Sequence, residues 1–487
     1  VLLRRSPIAG EELPDFHPLT MIRDWGNGEG FRLADALTGV CVFGATGSGK
    51  TSGPAKHLAY GYLAAGFGGL VLCAKKEERC QWMQWAADCR RSDDLVIVDT
   101  KADWCFNVLD WEASRAGEGA GISMNIVALL DEVAGALTRG AGRADGAGGD
   151  NKFFQDALHH MNANLVDLPL LAGLPVSLPL LRSIVTTAAQ NLAEVESESW
   201  QEKSTCAAII READAATKKA DPEVRADFEE CRTYWMQDFP ALSEKTRSII
   251  TLSFSMLARP FLIRPLRRLF STETTVSPEA TFDGKIIIVD LPIQEYRLAG
   301  RVAQLAWKYC FQVATLRRTP PTDGSFLPPV FLWADEAQHF VTDFDAEYQA
   351  TARSAGGCTV YLTQNRESYR RVLGNNDAVD SLLGNLQCKV FCQNSGDTNE
   401  WAAKLLGERY INITGTNVSR AEEGRATAGA STSEQRRYFV EPSTFTTLKR
   451  GGSIHDHKVE CIVYNGGHLF ADPSGGHLPY KRLTFEQ

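Results

Sequence analysis

The chain has 487 residues, of which 44% are apolar and 23% charged. These are ordinary globular proportions that argue against a disordered chain and suit about two to four domains. A net charge of −9 and a pI near 5.6 exclude a surface coated in basic groups, while leaving room for nucleic acid in a locally basic channel. Twelve cysteines form no CxxC pair, and a chain this long needs no disulfide staples, so reduced thiols in a reducing compartment are expected.

Residues 1–38 carry Pro, Gly and charge without clear periodicity and are read as an N-terminal segment. From residue 39 the pattern alternates. Gly39–Phe43, Gly69–Cys73 and Leu95–Val98 read as buried strands, and Thr51–Ala65 and Glu77–Cys89 as helices. Strands alternating with helices predict an α/β fold with a parallel sheet covered on both faces. Residues 139–150 hold five glycines and read as a flexible loop. Residues 151–271 show helical patterning without strand signals and are expected to form an all-helical insertion of about four to seven helices. The longest apolar stretch there, 165–185, is interrupted by Asp167, Pro169, Pro175, Pro179 and Arg182, so no bilayer span is expected. Strand patterns resume at Lys285–Val289, Val330–Trp333, Thr359–Leu362 and Lys389–Cys392. Residues 272–487 therefore complete, with 39–138, one nucleotide-binding domain. Thr414–Gln435, rich in Thr, Ser, Gly and Glu, reads as a mobile loop. Val459–Phe470 reads as two short edge strands.

The strongest chemical signal is Gly44-Ala45-Thr46-Gly47-Ser48-Gly49-Lys50-Thr51, followed by Ser52. It fits G-x-x-x-x-G-K-[ST] between a strand and a helix, the context in which backbone N–H groups and a helix N-terminus cradle phosphates. Lys50 is expected to reach the β/γ-phosphates of ATP, and Thr51 to ligate Mg2+. A second apolar run, Val330–Ala334, ends in Asp335-Glu336. Asp335 is expected in the Mg2+ shell and Glu336 as the group that polarises the attacking water. Gln364, just past the strand Thr359–Leu362, is placed to sense the γ-phosphate or that water. Arg353 is expected to serve as an arginine finger offered to a neighbouring subunit. Arg264, Arg267 and Arg268 cluster near the end of the helical stretch and read first as a solvated basic face, with phosphate contact as the alternative. Cys388/Cys392 and His455-Asp456-His457 lack a partner set for a metal.

In order along the chain, these elements resemble the type IV secretion coupling proteins, the conjugative DNA-transfer ATPases of the FtsK–HerA superfamily. The resemblance runs from about Gly39 to about Arg482. It rests on the P-loop, Leu72-Cys73-Ala74-Lys75-Lys76-Glu77-Glu78, Phe106-Asn107-Val108-Leu109-Asp110-Trp111 and Lys245-Thr246-Arg247-Ser248-Ile249. It continues through Gly284–Pro292, Ala352–Gln364, and Gly384-Asn385 to Gly407. Val108 stands where the family has Pro. The resemblance implies a RecA-like P-loop NTPase sheet with an inserted all-α domain, a homo-hexameric ring, single- or double-stranded DNA as substrate, and secretion-channel or relaxase-type protein partners. It places the chain in the cytoplasm or at the cytoplasmic face of the inner membrane. The family's membrane helices are not seen here, so either an N-terminal anchor is missing or this is a soluble member. Two other functions fit the same motifs: a HerA-like DNA translocase working with a nuclease or defence partner, and an ATP-gated adaptor for protein cargo that does not translocate.

Overall fold

The computed structural model describes residues 13–26, 28–101, 103–140, 149–420, 426–472 and 474–487. Its strands, in chain order, are β1 (Met21–Gly26), β2 (Glu29–Arg32), β3 (Val40–Phe43), β4 (Gly68–Leu72), β5 (Leu95–Val98), β6 (Ile286–Val289), β7 (Val330–Ala334) and β8 (Gly357–Thr363). They continue with β9 (Cys388–Phe391), β10 (Glu408–Arg420), β11 (Ala426–Tyr438), β12 (Lys458–Asn465), β13 (Phe470–Ala471), β14 (His477–Leu478) and β15 (Lys481–Glu486).

Nine of these make one sheet in the order β15-β12-β9-β3-β8-β7-β4-β6-β5. The seven strands from β9 to β5 run parallel, and β12 pairs antiparallel with both β9 and β15. Strands buried on both faces read as unbroken apolar runs, which is how Val330-Phe331-Leu332-Trp333 and Ile286-Ile287-Ile288-Val289 stand out in the sequence. Alternate residues feed two cores. Phe331, Trp333, Val360 and Leu362 join Trp82 and Trp85 and the helix after the P-loop, with Trp82 stacked on Phe331 at 5.4 Å between ring centroids. Leu332, Ala334, Ile287 and Val289 join Trp307 of the helix Ile293–Leu316.

Residues 151–271 are helical, with no strand among the described residues. Their short helices are started by side-chain caps. Asn191, Ser197, Ser204, Asp221 and Ser243 each accept a hydrogen bond from a first-turn backbone N–H, which satisfies donors that a helix leaves unpaired. These caps divide the stretch into more helices than periodicity alone predicts. The apolar faces of these helices, including Leu165, Trp235 and Phe254, are continuous with the core on the Trp307 side of the sheet. The expected loop at 139–150 lies outside the described residues at 141–148. Its two ends belong to the helices Ser123–Gly140 and Gly149–Leu171.

Three expectations are corrected. Met21–Gly26 and Glu29–Arg32, within the segment read as lacking periodicity, pair as the antiparallel strands β1 and β2. The stretch read as a mobile loop at Thr414–Gln435 lies in a two-stranded antiparallel ribbon pairing Glu408 with Tyr438 through to Arg420 with Ala426; its residues 421–425 lie outside the described ones. Within that stretch the strand signal was confined to scattered β-branched residues such as Thr414, Thr416, Val418 and Thr432. The outer strand of the sheet beyond β12 is β15, past the predicted edge, while β13 pairs with β14 in a separate hairpin. No helix among the described residues is long and apolar enough to cross a membrane.

Candidate nucleotide site

The parallel order places the C-terminal ends of β3, β8 and β7 side by side, and loops at such strand ends are where open α/β sheets bind ligands. From β3 the chain turns into the Gly44–Thr51 loop. Gly44 packs so closely that a Cβ there would lie 2.4 Å from Ser48 Oγ and 2.8 Å from Lys50 Cγ. Gly49 takes φ +83°, and a Cβ would meet Val459 at 2.5 Å. Both positions therefore require glycine. The loop is anchored on the neighbouring strands: Gly44 N donates to Thr363 O (3.3 Å) and Ala45 N to Gln393 O (2.9 Å). Thr46 and Gly47 are exposed at its tip. The helix that follows opens as a wide turn, Thr51–Ala55, with Gly53 in a non-helical conformation and Pro54 inside. The predicted helix is present, but with this irregular first turn.

Lys50 is buried, and its Nζ donates to Gly44 O at 2.7 Å and Ala45 O at 3.4 Å. Burial pulls its pKa down, and Asp335 and Glu336 pull the other way. Thr51 Oγ1 donates to Asp335 Oδ2 at 2.7 Å. This contact joins the P-loop to the acidic motif across β8. Ser48 Oγ is buried without a hydrogen-bond partner in the structure. Such an orphaned hydroxyl inside a loop of turned-in amides is what a phosphate oxygen would satisfy. Thr51 and Asp335 supply the hard oxygen donors that Mg2+ takes, so the residues present fit a Mg2+–nucleotide. Ser52 Oγ accepts from Gln487 Nε2 at 2.6 Å.

Glu336 sits at the tip of β7 with φ +52°, the left-handed region. For a non-glycine residue this conformation carries strain of the kind that collects at functional sites. Its N–H donates to Asp335 Oδ1 at 2.8 Å. Its carboxylate accepts from Lys75 Nζ (2.9 Å), Gln338 Nε2 (2.8 Å) and Gln364 Nε2 (3.4 Å). Burial pushes the Glu336 carboxyl up, but Gln338, Lys75 and Lys50 outweigh it and hold the group below its usual range. Burial likewise disfavours the charged Lys75, and Asp335 and Glu336 outweigh it to raise the ammonium pKa.

Lys75 and Gln338 were not assigned to the site from sequence. Lys75 arrives because β4 lies directly beside β7, a neighbour relation that spacing does not reveal. Its loop is pinned by Glu78, which accepts from Ala74 N at 2.8 Å. Gln304 holds it from behind, accepting from Cys73 N at 2.6 Å and donating to Cys73 O at 3.0 Å. Beyond Glu336 opens a polar cleft of about 510 Å3 flanked by Lys75, Arg297 and Arg371. Arg297 has φ +49° at a kink in the helix Ile293–Leu316.

Gln364 lies beside Glu336, its Nε2 3.4 Å from the carboxylate. Arg353 is not brought into this chain's site. It is exposed in the turn before β8, at the opposite end of a seven-residue strand, roughly 20 Å from the P-loop edge. Arg264, Arg267 and Arg268 are exposed and lie off the site. Cys388 and Cys392 are buried in and just after β9.

Residues 329–450 match the family model described as the TraM recognition site of TraD and TraG. No curated protein matches the chain. Among solved structures, the plasmid coupling protein TrwB in complex with ADP and Mg2+ aligns with a TM-score of 0.59 at 14% identity, covering 96% of this chain and 90% of that one. TrwB in complex with the non-hydrolysable GTP analogue GDPNP gives 0.58 at 14%, covering 94% and 87%. The unbound monoclinic form of the bacterial conjugative coupling protein TrwBdeltaN70 gives 0.57 at 14%, covering 93% and 86%.

Proposed function

From a chain that resembles the type IV secretion coupling proteins in its motifs, in residues 329–450 and in its RecA-like fold with an all-α part, we propose an ATP-driven motor that moves DNA, alone or with an attached protein, toward a secretion channel. The observation that carries the reading is the Thr51–Asp335 contact at 2.7 Å, with Lys50 and Glu336 beside it. It supports the reading because the two motifs meet at one sheet edge.

In this mechanism the turned-in amides of Gly44–Thr51 and the Lys50 ammonium bind the phosphates. Thr51 and Asp335 would hold Mg2+, which when bound would neutralise charge on the phosphates. Glu336 takes the proton of the attacking water. Gln338 and Lys75 fix the carboxylate's orientation, and Gln364, 3.4 Å from it, lies where an amide can hold water or the γ-phosphate. Arg353, remote from its own P-loop, acts in the neighbouring subunit's site, which makes the homo-hexameric ring the active unit.

A relaxase-type or TraM-like protein is the partner, in keeping with the family description of residues 329–450. Within them, the β10–β11 ribbon pairs with no strand of the main sheet among the described residues and offers a surface for that contact. ATPase turnover measured with and without single- and double-stranded DNA, together with particle mass, tests the proposal. DNA-stimulated turnover in a hexamer-sized particle is the expected result. DNA-indifferent turnover would return the chain to the protein-cargo adaptor reading.

A further inference from the structure

Charge is distributed unevenly in this acidic chain. Between Glu244 and Glu273 the sequence holds Lys245, Arg247, Arg259, Arg264, Arg267 and Arg268, and no Asp or Glu. Arg247 is buried, donating to Leu242 O at 2.8 Å, and Lys245 lies at the far end of its helix, over the Phe154 ring. The other four arginines are exposed around the end of the helix Glu244–Leu262 and the short helix Leu266–Phe270.

The fold adds to them the loop that follows β5. Arg268 Nη2 donates to Thr100 O at 3.3 Å, and Phe106 N donates to Leu269 O at 2.6 Å. This tie brings exposed Lys101 and Trp104 alongside the arginines. Trp104 is 40% exposed and Ile263 48%, so an indole face stands open among the cations. Two acidic groups flank the patch, Asp103 and Glu273, and both are exposed. Asp99 is already paired with Arg79 at 2.8 Å. Five cations thus face two carboxylates on a chain whose net charge is −9. The patch lies at the C-terminal end of the outermost strand, on the same sheet edge as the P-loop and five strand spacings from it, roughly 24 Å.

We propose that Lys101, Trp104, Arg259, Arg264, Arg267 and Arg268 form a contact surface for single-stranded nucleic acid. The cations follow the phosphate backbone and the indole stacks on a base, the combination that binds single strands without reading sequence. Duplex DNA offers the same phosphates but no free base face to Trp104. The inference rests on the motor reading and assigns the surface by which the DNA is held.

The test is fluorescence anisotropy of a labelled single-stranded oligonucleotide and its duplex, titrated with full-length protein over a range of salt. Wild type should prefer the single strand. R264E/R267E should weaken binding at least about tenfold near 0.1 M salt and lower the log–log salt slope by roughly one to two, as loss of two phosphate contacts requires. Trp104→Ala should cost about tenfold on the single strand, the scale of one lost stack, and little on the duplex. Thermal melting at the wild-type midpoint verifies folding, and Arg264→Gln alone, a milder change, serves if the double variant fails to fold. Undiminished affinity in folded variants would overturn the surface while leaving the motor reading intact. Equal affinity of wild type for both DNA forms would overturn the stacking role of Trp104. Competition by poly-L-glutamate as strong as by the oligonucleotide would assign the patch to acidic polypeptide and overturn the proposal. Failure of wild type to bind either DNA would contradict the motor reading itself.

Discussion

Lys75 shows what a single side chain contributes to this site. Its ammonium lies 2.9 Å from Glu336 and about a third of the side chain is exposed, so it acts as an orienting charge within solvent reach. A hydrogen bond to a charged group contributes about 1.5–3 kcal/mol when well formed, or roughly 10–100-fold in rate if it matters only in the transition state. Lys75→Ala is therefore expected to lower kcat by about tenfold or more with KM for ATP little changed, and Lys75→Arg to recover part of the loss. Steady-state kinetics on the three proteins check this. An unchanged kcat in Lys75→Ala would leave Gln338 and Gln364 as the groups that set the carboxylate. The P-loop and the acidic pair were legible in the sequence because each is a contiguous run whose chemistry needs those residues in that order. Lys75 was legible only as part of a family step, because its partner lies 261 residues away and depends on β4 lying beside β7. The strained backbone of Glu336 left no mark in the sequence either, since nothing about a glutamate there announces φ +52°.

Among the elements, the C-terminal strands are where sequence and structure differ most usefully. Strand β15 closes the sheet by laying Phe485 over His57 of the P-loop helix, with ring centroids 4.7 Å apart. Burial, then Arg23 and Lys56, depress the His57 pKa from 6.5 to about 4. In the folded state the ring stays neutral through a window where the unfolded chain takes up a proton. The stabilisation is therefore complete above about pH 6.5 and is lost as pH falls toward 4. His57→Phe is expected to flatten the fall of the melting midpoint across that window while leaving it little changed near pH 7.5. Thermal melts from pH 7.5 to 4.5 measure it, and an identical slope in both proteins would contradict it. The alternation Leu483-Thr484-Phe485-Glu486 is a readable strand pattern lying beyond the segment predicted as the edge. The β1–β2 pair likewise had a signal in the Asn27-Gly28 dipeptide, the strongest short hairpin cue. The β10–β11 ribbon had little signal, because its Thr-, Ser- and Gly-rich sequence carries no sustained apolar alternation.

At the scale of the whole molecule, the position of Arg353 at the end of β8 away from the P-loop decides how the ring reading can be tested. A cis role is excluded by distance, so Arg353 either completes a neighbour's site or is a solvated arginine. Arg353→Ala is expected to bind ATP and turn over poorly, on the scale of an arginine finger at about 10³-fold or more. Lys50→Ala is expected to lose turnover in its own site. Mixed rings of the two should regain part of the activity, because a Lys50→Ala subunit still presents Arg353 to an intact P-loop next door. Failure to complement in rings verified by mass would return Arg353 to the solvated surface. The helical stretch contributes at this scale as well. Its core is continuous with that of the sheet, and it holds the Arg259–Arg268 patch at the sheet edge that bears the P-loop, so the proposed DNA contact and the proposed nucleotide site lie at the same edge.

The central claim, that the paired motifs make a DNA-driven hydrolase, is tested most directly by ATP turnover of wild type and Glu336→Gln with and without single-stranded DNA. The amide keeps the shape of the carboxylate but cannot take the proton of water. The account predicts wild-type turnover that rises with DNA, and a Glu336→Gln protein that still binds ATP yet turns over about a hundredfold or more slowly under both conditions. Wild-type turnover indifferent to DNA, or a Glu336→Gln protein retaining near wild-type turnover, would contradict it.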